Sequence, residues 1–485
     1  MEYVLGVDFG GGASKATLLS REGKIIKTSL NEYKTYYGEN GMAEQNPDDW
    51  FYAACENIKR VTEGIAAEEL KCICFDAATH TAVLLDENFN VVRNSVYWTD
   101  TRFVKQVDFL KKHFGKDIFD RFKHNVDTIW TLPELLWIKE NEPEVWGKVK
   151  KITFAKDYVR NRFTGDFVTD FVEAEGSMFF SFDEQKWDEK FLNVLGINES
   201  FLPTVVKPLT VTGRIKKELA AELGLSDKTK VIYGSTDTAM EVFAAGAITK
   251  GQTTVKLATA GRICVVSDKI IKDAQIINYS HLSDGLFYPG TDTKSCASSF
   301  RWFRDSFGGE YNALCKSAES IPVGSDGLIF HPYLNGELTP YGNPKLRGSF
   351  IGIRSMHTKA HFVRAVLEGV AMSLVDCKKY LENKGVKMQS AFIIGGGANS
   401  VLWKQIVADA LGITLVSTEN NDSSFGSAMC AGISEGFFED YAEAIKKCSV
   451  ITGTTRPISG NSIKYRELFE KYKKIQSVLE NVYDS

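Results

Sequence analysis

The 485-residue chain holds nine cysteines but no Cys-x-x-Cys pair, and its seven histidines form no His-Glu-x-x-His set. Structural zinc sites of the usual spacings are therefore excluded, and an odd cysteine count scattered from Cys55 to Cys448 offers no disulfide framework. Cys72 and Cys74, the one close pair, alternate with Ile73 in a strand-like run and read as small buried hydrophobes in a reducing compartment. Basic excess is also missing. A net charge of -4 and a pI near 6.1 give no electrostatic footing for nucleic acid or an anionic membrane, which leaves small neutral or anionic ligands. No apolar run reaches the length of a membrane span, and the opening MEYVLGVD lacks a basic segment followed by an apolar one, so the expected location is cytoplasmic. With 44% hydrophobic and 25% charged residues, disorder is not expected.

Two nucleotide signatures are absent despite partial matches. Gly10 to Lys15 lacks the second glycine of a Walker A loop and places Ala16 where Ser or Thr would meet magnesium. Asp8-Phe9-Gly10 spells a protein-kinase metal motif, but only seven residues precede it, too few for the Gly-rich loop and lysine that motif requires. What does stand there is VLGVDFGGGASKATLL. Val4, Leu5 and Val7 suit a buried strand, Ala16, Leu18 and Leu19 resume the pattern, and Gly10 to Gly12 fall at a hairpin tip. A tip without Cβ atoms brings backbone N–H groups close to an anion, and Asp8 is placed to hold a metal directly or through water. Taken alone, the window reads more simply as an ordinary glycine-rich hairpin.

The length predicts two domains, and short β-rich runs alternating with long amphipathic stretches predict α/β layers. Strands are expected at YVLGVDF, ATLLS, KCICFDA, TAVLLD, VIYGS and FIIGGG. Helices are expected at DDWFYAACENIKRVTEGI behind a Pro47-Asp48 cap signal, at LPELLWIKENEPEVW, HFVRAVLEGVAMSLVDCKKYLENKG and SVLWKQIVADALG, and over the C-terminal IKYRELFEKYKKIQSVLENVY. Near the midpoint, TTVKLA, a small-residue turn at Thr259-Ala260-Gly261 and ICVV repeat the logic of the opening hairpin. Two such hairpins half a chain apart favour two topologically similar halves closing on a ligand, with domains at 1–245 and 246–485 and no linker between them.

Three further windows carry chemistry. VIYGSTDTAMEVFAAGA puts Asp237 beyond an apolar strand, where α/β proteins bind ligands, and a helix N-cap explains the same carboxylate. FIIGGGANSVLWKQIVADALG passes through Gly395 to Gly397 into a helix with Asn399 and Ser400 at its start, which suits a flat ligand or a tight turn. His80, Trp98, Asp100 and Arg102 form a set able to bind a polyhydroxylated molecule, although His80 alone suits a core position and Asp100 with Arg102 a surface ion pair.

In order and spacing these segments resemble the FGGY family of carbohydrate kinases, within the sugar kinase, hexokinase, Hsp70 and actin superfamily. The resemblance runs nearly end to end through GVDFGGGASKATLL, GMAEQNPDDW, YWTDTR, KDYVRNRFTGDFVTD, GSTDTA, NGELTPYGNPKLRGSFIGI, RAVLEGVA, IIGGGANSVLWKQIVADALG and FGSAMCAGI. It implies two ribonuclease-H-like α/β domains flanking a cleft for ATP and sugar. It implies that Asp8 and Asp237 organise Mg2+, that Gly10, Gly11, Gly12 and Lys15 form the first phosphate site, and that Thr259, Ala260 and Gly261 form the second. Gly396, Gly397 and Asn399 would border the adenine, and Thr79, His80, Trp98, Asp100, Arg102 and Asp237 would face the sugar. Asp237 is then the expected catalytic base, taking the proton from a sugar hydroxyl as the γ-phosphoryl group moves. Closure of the domains would exclude water.

Departures from the family pattern are specific. Gly11 stands where these kinases usually carry threonine, and Ala258 and Ala260 interrupt the second loop, with Arg262 immediately after it and expected to face solvent. DAATHT, with Ala77, Ala78 and Thr79 before His80, aligns with segments of both xylulose- and gluconate-phosphorylating members. General similarity leans to a pentulose acceptor, D-xylulose phosphorylated at its 5-hydroxyl, with gluconate or another pentulose or polyol as the alternative. A non-catalytic sugar or nucleotide sensor is the reading from another class. Dimers are common among similar kinases, and no coiled-coil pattern is present.

Overall fold

A computed structural model describes residues 1–484. The chain divides into two compact units. The first comprises Met1–Ala244, Tyr279–Gly285 and Asp422–Ser449, and the second Ala245–Asn278, Leu286–Asn421 and Val450–Ser485. Packing thus returns a late segment to the first unit, and a single cut near residue 245 describes chain order rather than packing.

The first unit is built on a six-stranded sheet of β1 (Tyr3–Phe9), β2 (Ala13–Ser20), β3 (Ile25–Glu32), β4 (Leu70–Ala77), β5 (Val211–Arg214) and β6 (Lys230–Thr236), in the order β5-β6-β4-β1-β2-β3. β1, β2 and β3 form an antiparallel meander, β4 runs parallel to β1, and β6 runs parallel to β4. Val4, Leu5 and Val7 are fully buried, because β1 is covered on both faces. One cover is α1 (Pro47–Thr62), whose Trp50, Ala54 and Ile58 join the core. Its cap is Asn46, which accepts from Asp48 N, one residue ahead of the expected Pro47-Asp48 start. Two further helices matter for the site. They are α2 (Ala155–Thr164) and α3 (Asp237–Ala244), the latter leaving β6 directly.

The second unit repeats this sheet with β7 (Thr253–Leu257), β8 (Gly261–Val265), β9 (Gly290–Thr293), β10 (Ser390–Ile394), β11 (Thr414–Thr418) and β12 (Ile451–Thr455), in the order β9-β8-β7-β10-β11-β12. Again a meander leads into two parallel neighbours and an antiparallel edge. Helices α4 (Ala297–Phe307), α5 (Lys359–Asn383) and α6 (Val401–Leu411) surround its core, in which α5 buries Val366, Val370 and Leu374. The two hairpins noticed in the sequence open two sheets of matching topology.

The late segment returns to the first unit as α7 (Ser423–Ser434), which lies on the other face of β1 and β4. Gly6 makes that approach feasible: a Cβ there would stand 2.0 Å from Ser424 O and 2.3 Å from Ala428 N. The final helix, α8 (Ser459–Asp484), covers the second unit with Tyr465, Phe469 and Tyr472. Two expected elements differ. LPELLWIKENEPEVW breaks into Thr131–Asn141 and Pro143–Lys148, since Pro143 cannot continue a helix and starts the next one. FIIGGG is a strand only as far as Ile394, because Gly395 takes φ 86°. Among the described residues no helix is long and apolar enough to cross a membrane. Eight of the nine cysteines are buried and all are free.

Candidate active site

Asp8 lies next to last in β1, and the register of the sheet puts Asp76 of β4 beside it and Lys15 of β2 on its other side. Asp8 Oδ1 and Asp76 Oδ1 are buried with no hydrogen-bond partner, while the Ser427 hydroxyl donates to Asp76 Oδ2. Burial, followed by the charges of Asp237, Glu241 and Asp422, pushes the Asp8 carboxyl up to about 7; burial and Asp8 raise the Asp76 carboxyl well above the usual carboxylate range. Two unpartnered carboxylate oxygens at one point are the donor chemistry a hard divalent cation selects. Among the described residues no three or more His, Cys, Asp or Glu side chains enclose an ion by themselves, so a cation here would take the rest of its shell from water and ligand oxygens. Lys15 does not stand free for a phosphate: its Nζ pairs with Asp422 Oδ2 at 2.9 Å, at the N-cap of α7.

The loop after Asp8 is held from behind. Thr35 Oγ1 and Gln45 Nε2 donate to Gly11 O at 3.0 and 2.9 Å, Tyr33 N donates to Gly12 O, and the Tyr33 hydroxyl donates to Gly10 O. With their carbonyls so bound, Gly11 and Gly12 donate their own amides to no acceptor among the described residues. Space above Gly12 is open. A row of unused amides on a short turn is an anion cradle.

Asp237 opens α3, but it does not cap it. Thr236 Oγ1 accepts from Ala239 N, whereas among the described residues Asp237 Oδ1 accepts only from its neighbour Thr238, through N at 2.6 Å and Oγ1 at 3.3 Å. Its half-buried carboxylate is left at the end of β6, where a ligand group can be met. A buried polar bracket fixes that strand end. Lys156 Nζ of α2 lies 2.8 Å from both Asp157 Oδ1 and Asp170 Oδ2, and Ser235 Oγ donates to Asp170 Oδ1. Burial would lower the Lys156 ammonium, yet Asp157 and Asp170 hold it above its ordinary value. Glu173, pushed up to about 8 by burial, accepts from the backbone N of His80 and so ties the bracket to the next group.

The residues expected to face a sugar are brought near one another in part and are well occupied. His80 adopts φ 71°; its Nδ1 lies 2.9 Å from Gly176 O and its Nε2 2.7 Å from the Tyr279 hydroxyl. Donation from Nδ1 to the carbonyl leaves Nε2 to accept from tyrosine. Thr79 is buried beside Gly176. Asp100 is no surface residue. It is fully buried, accepting from Ala43 N at 2.7 Å and from Arg102 N and Nε at about 3 Å, and Arg102 continues to Glu44 at 2.7 Å. Asp100 and Arg102 therefore brace the segment that carries Tyr97 and Trp98, the latter packed on Ala43, Ala78 and Tyr97.

In the second unit, Thr259 and Ala260 likewise leave their amides without acceptors among the described residues, while Thr259 O accepts from Cys296 N and Ser298 Oγ at the start of α4. Gly261 N donates to Thr293 Oγ1. Gly395 is pressed onto this hairpin, a Cβ there falling 2.7 Å from Leu257 O, and Gly397 packs equally tightly on Leu257 and Trp403. Gly396 is exposed with nothing near it, Asn399 is exposed, and Ser400 rather than Asn399 caps α6. One expectation fails outright. Arg262 does not face solvent; its Nη1 grips both oxygens of Asp292 at 2.9 Å, and burial raises the Asp292 carboxyl despite that partner.

Asp76, Glu241, Asp422, Gln45 and Tyr97 were not among the residues singled out by the sequence. Asp76 had a signal of the same kind as Asp8, a carboxylate next to last in an apolar strand. Asp422 had none, since only the return of α7 brings it here.

Residues 3–244 match the N-terminal domain of the FGGY family of carbohydrate kinases, and residues 278–435 its C-terminal domain. The xylulose kinase of Bacillus subtilis is 32% identical over 482 residues, covering 98% of this chain and 97% of its own. Among solved structures, a xylulose kinase from Lactobacillus acidophilus superposes with a TM-score of 0.93 at 27% identity, over 100% of this chain and 99% of its own. A gluconate kinase from the same organism gives 0.92, also at 27% identity and over the same shares. Paired carboxylates, two amide cradles and two matching sheets thus coincide with full-length similarity, and the chain belongs to the FGGY family of carbohydrate kinases.

Proposed function

We propose that this enzyme transfers the γ-phosphoryl group of ATP to the terminal hydroxyl of D-xylulose, giving D-xylulose 5-phosphate and ADP. The observation that carries the acceptor is the 32% identity to a xylulose kinase over nearly the whole of both chains. The chemistry asks for a base, an anion cradle and charge compensation. Asp237, whose carboxylate the helix does not need, accepts the proton of the acceptor hydroxyl as the new O–P bond forms and the bond to the β-phosphate oxygen breaks. The amides of Gly11 and Gly12 in the first unit, and of Thr259 and Ala260 in the second, hold phosphate oxygens, Gly10 N closing the turn onto Ala13 O; Gly396 and Asn399 border the adenine. Bound Mg2+ supplies neutralisation of the phosphate charge, and the unpartnered oxygen of Asp8, together with Asp237, would hold it.

His80 and Asp100 are assigned to shaping the acceptor site, with Thr79 and Trp98 lining it. Both His80 nitrogens are bonded to protein, which supports a fixed wall rather than an adaptable contact.

Gluconate is the competing acceptor, because a gluconate kinase superposes as well as a xylulose kinase does. Initial rates of ADP release with D-xylulose, L-xylulose, D-ribulose, gluconate, erythritol and glycerol decide between them. D-xylulose is expected to give the highest kcat/KM, by at least about tenfold, the discrimination a small pocket difference supports. A higher value for gluconate would replace the acceptor while leaving the phosphotransferase assignment in place.

A further inference from the structure

The hydroxyl of Tyr97 stands directly over the first glycine loop. A Cβ on Gly11 would lie 2.8 Å from that oxygen and 3.6 Å from the ring carbon bearing it. Nothing about this placement is loose. Tyr97 N donates to Ala43 O, Tyr97 O accepts from Asp100 N, and the side chain is 6% exposed. Burial, then the charges of Asp237 and Asp8, hold the phenol well above its ordinary range, so it is a neutral donor under all working conditions. A neutral phenol has one O–H to give. That hydroxyl therefore sits over the Gly11–Gly12 turn, whose amides are unused, and within the field of Asp8 and Asp237.

We infer that the Tyr97 hydroxyl donates a hydrogen bond to an oxygen of the transferring phosphoryl group, making it a further catalytic residue of the first phosphate loop. The inference rests on the reading of Gly10 to Gly12 as a phosphate site. Geometry assigns a donor at this point in place of a side chain on Gly11, since the two would compete for one volume. Glycine at position 11 and tyrosine at position 97 are then a matched pair. The donor differs from the amides in being removable by one residue change.

The test is a double-mutant cycle on turnover, with Tyr97→Phe, Gly11→Ala and both together. Tyr97→Phe keeps the ring and removes the donor. Its kcat/KM for ATP is expected to fall about 10- to 100-fold, the range for one lost transition-state donor, while the KM for sugar stays within about threefold. Gly11→Ala is expected to lose activity alone, because its methyl displaces the hydroxyl, and to cost less than about threefold on top of Tyr97→Phe, whose ring carbon leaves ordinary contact distance. Wild-type turnover with Tyr97→Phe within twofold of it overturns the inference alone. So does a loss seen only in the sugar KM, or additive effects of the two changes. If wild-type protein releases no ADP with any sugar, the phosphotransferase reading falls and the inference falls with it.

Discussion

Asp8 and Asp76 occupy one level of two neighbouring parallel strands, and each keeps a buried Oδ1 without a hydrogen-bond partner. Two carboxylates in that position need a proton or a cation between them. Because the Asp8 carboxyl is pushed up to about 7, protons and divalent cations compete for it below that pH. Mg2+ is therefore expected to raise the melting temperature more at pH 8 than at pH 6, and Asp8→Asn to abolish the difference. Thermal unfolding with and without Mg2+ at the two pH values checks this; an equal shift at both would contradict it.

Glu175 gives a second pH dependence with no cation involved. Burial pushes it up to about 8, against the hydrogen bonds it accepts from Ser280 and Gln185. A carboxyl raised on folding contributes stability that is complete below about 4.5 and lost as pH rises toward 8, at no more than about 1.4 kcal/mol per pH unit. Glu175→Gln should flatten the fall in melting temperature between pH 5 and pH 8. An unchanged slope would show that Glu175 is ionised in the fold.

Arg262 and Asp292 are nearly buried, at 11% and 15% side-chain exposure. Arg262→Ala leaves Asp292 with an uncompensated charge, and a loss of about 3 kcal/mol is expected in urea unfolding. Arg262→Ala combined with Asp292→Asn should recover part of that loss. If Arg262→Ala instead unfolds normally and raises the KM for ATP, the pair is not structural.

The two adjacent glycines of the proposed adenine turn should respond oppositely. Gly395→Ala forces a Cβ to 2.7 Å from Leu257 O at φ 86° and is expected to cost about 1–3 kcal/mol and weaken ATP binding; Gly396→Ala, in open space, should fold normally. Nucleotide titration of both variants separates the cases. Equal tolerance would mean that the turn does not hold the nucleotide as described.

What could be read in the sequence was whatever is local in the chain. The buried β1, the turn of Gly10 to Gly12, the strand ending before Asp237 and the second hairpin all announced themselves by period and small residues, and the repeat of hairpins announced two matching sheets. The family resemblance added roles to those positions. Long-range packing was hidden. No local pattern says that α7 crosses back to β1, so Asp422 as the partner of Lys15 and Ser427 as the partner of Asp76 were unreadable. Arg262 misled because an exposed-looking arginine after a turn gives no hint of Asp292 thirty residues away on the adjoining strand. His80, Asp100 and Arg102 were found, but their occupation by Tyr279, Ala43 and Glu44 was not.

The most direct test of the account is sugar-dependent ADP release by Asp237→Asn beside wild type, with ATP binding measured on both. Wild-type turnover on D-xylulose, reduced at least about 100-fold in the variant while ATP still binds, is the predicted result. Turnover in the variant within a few-fold of wild type would contradict the assignment of Asp237 as the base, and with it the chemistry proposed for this site.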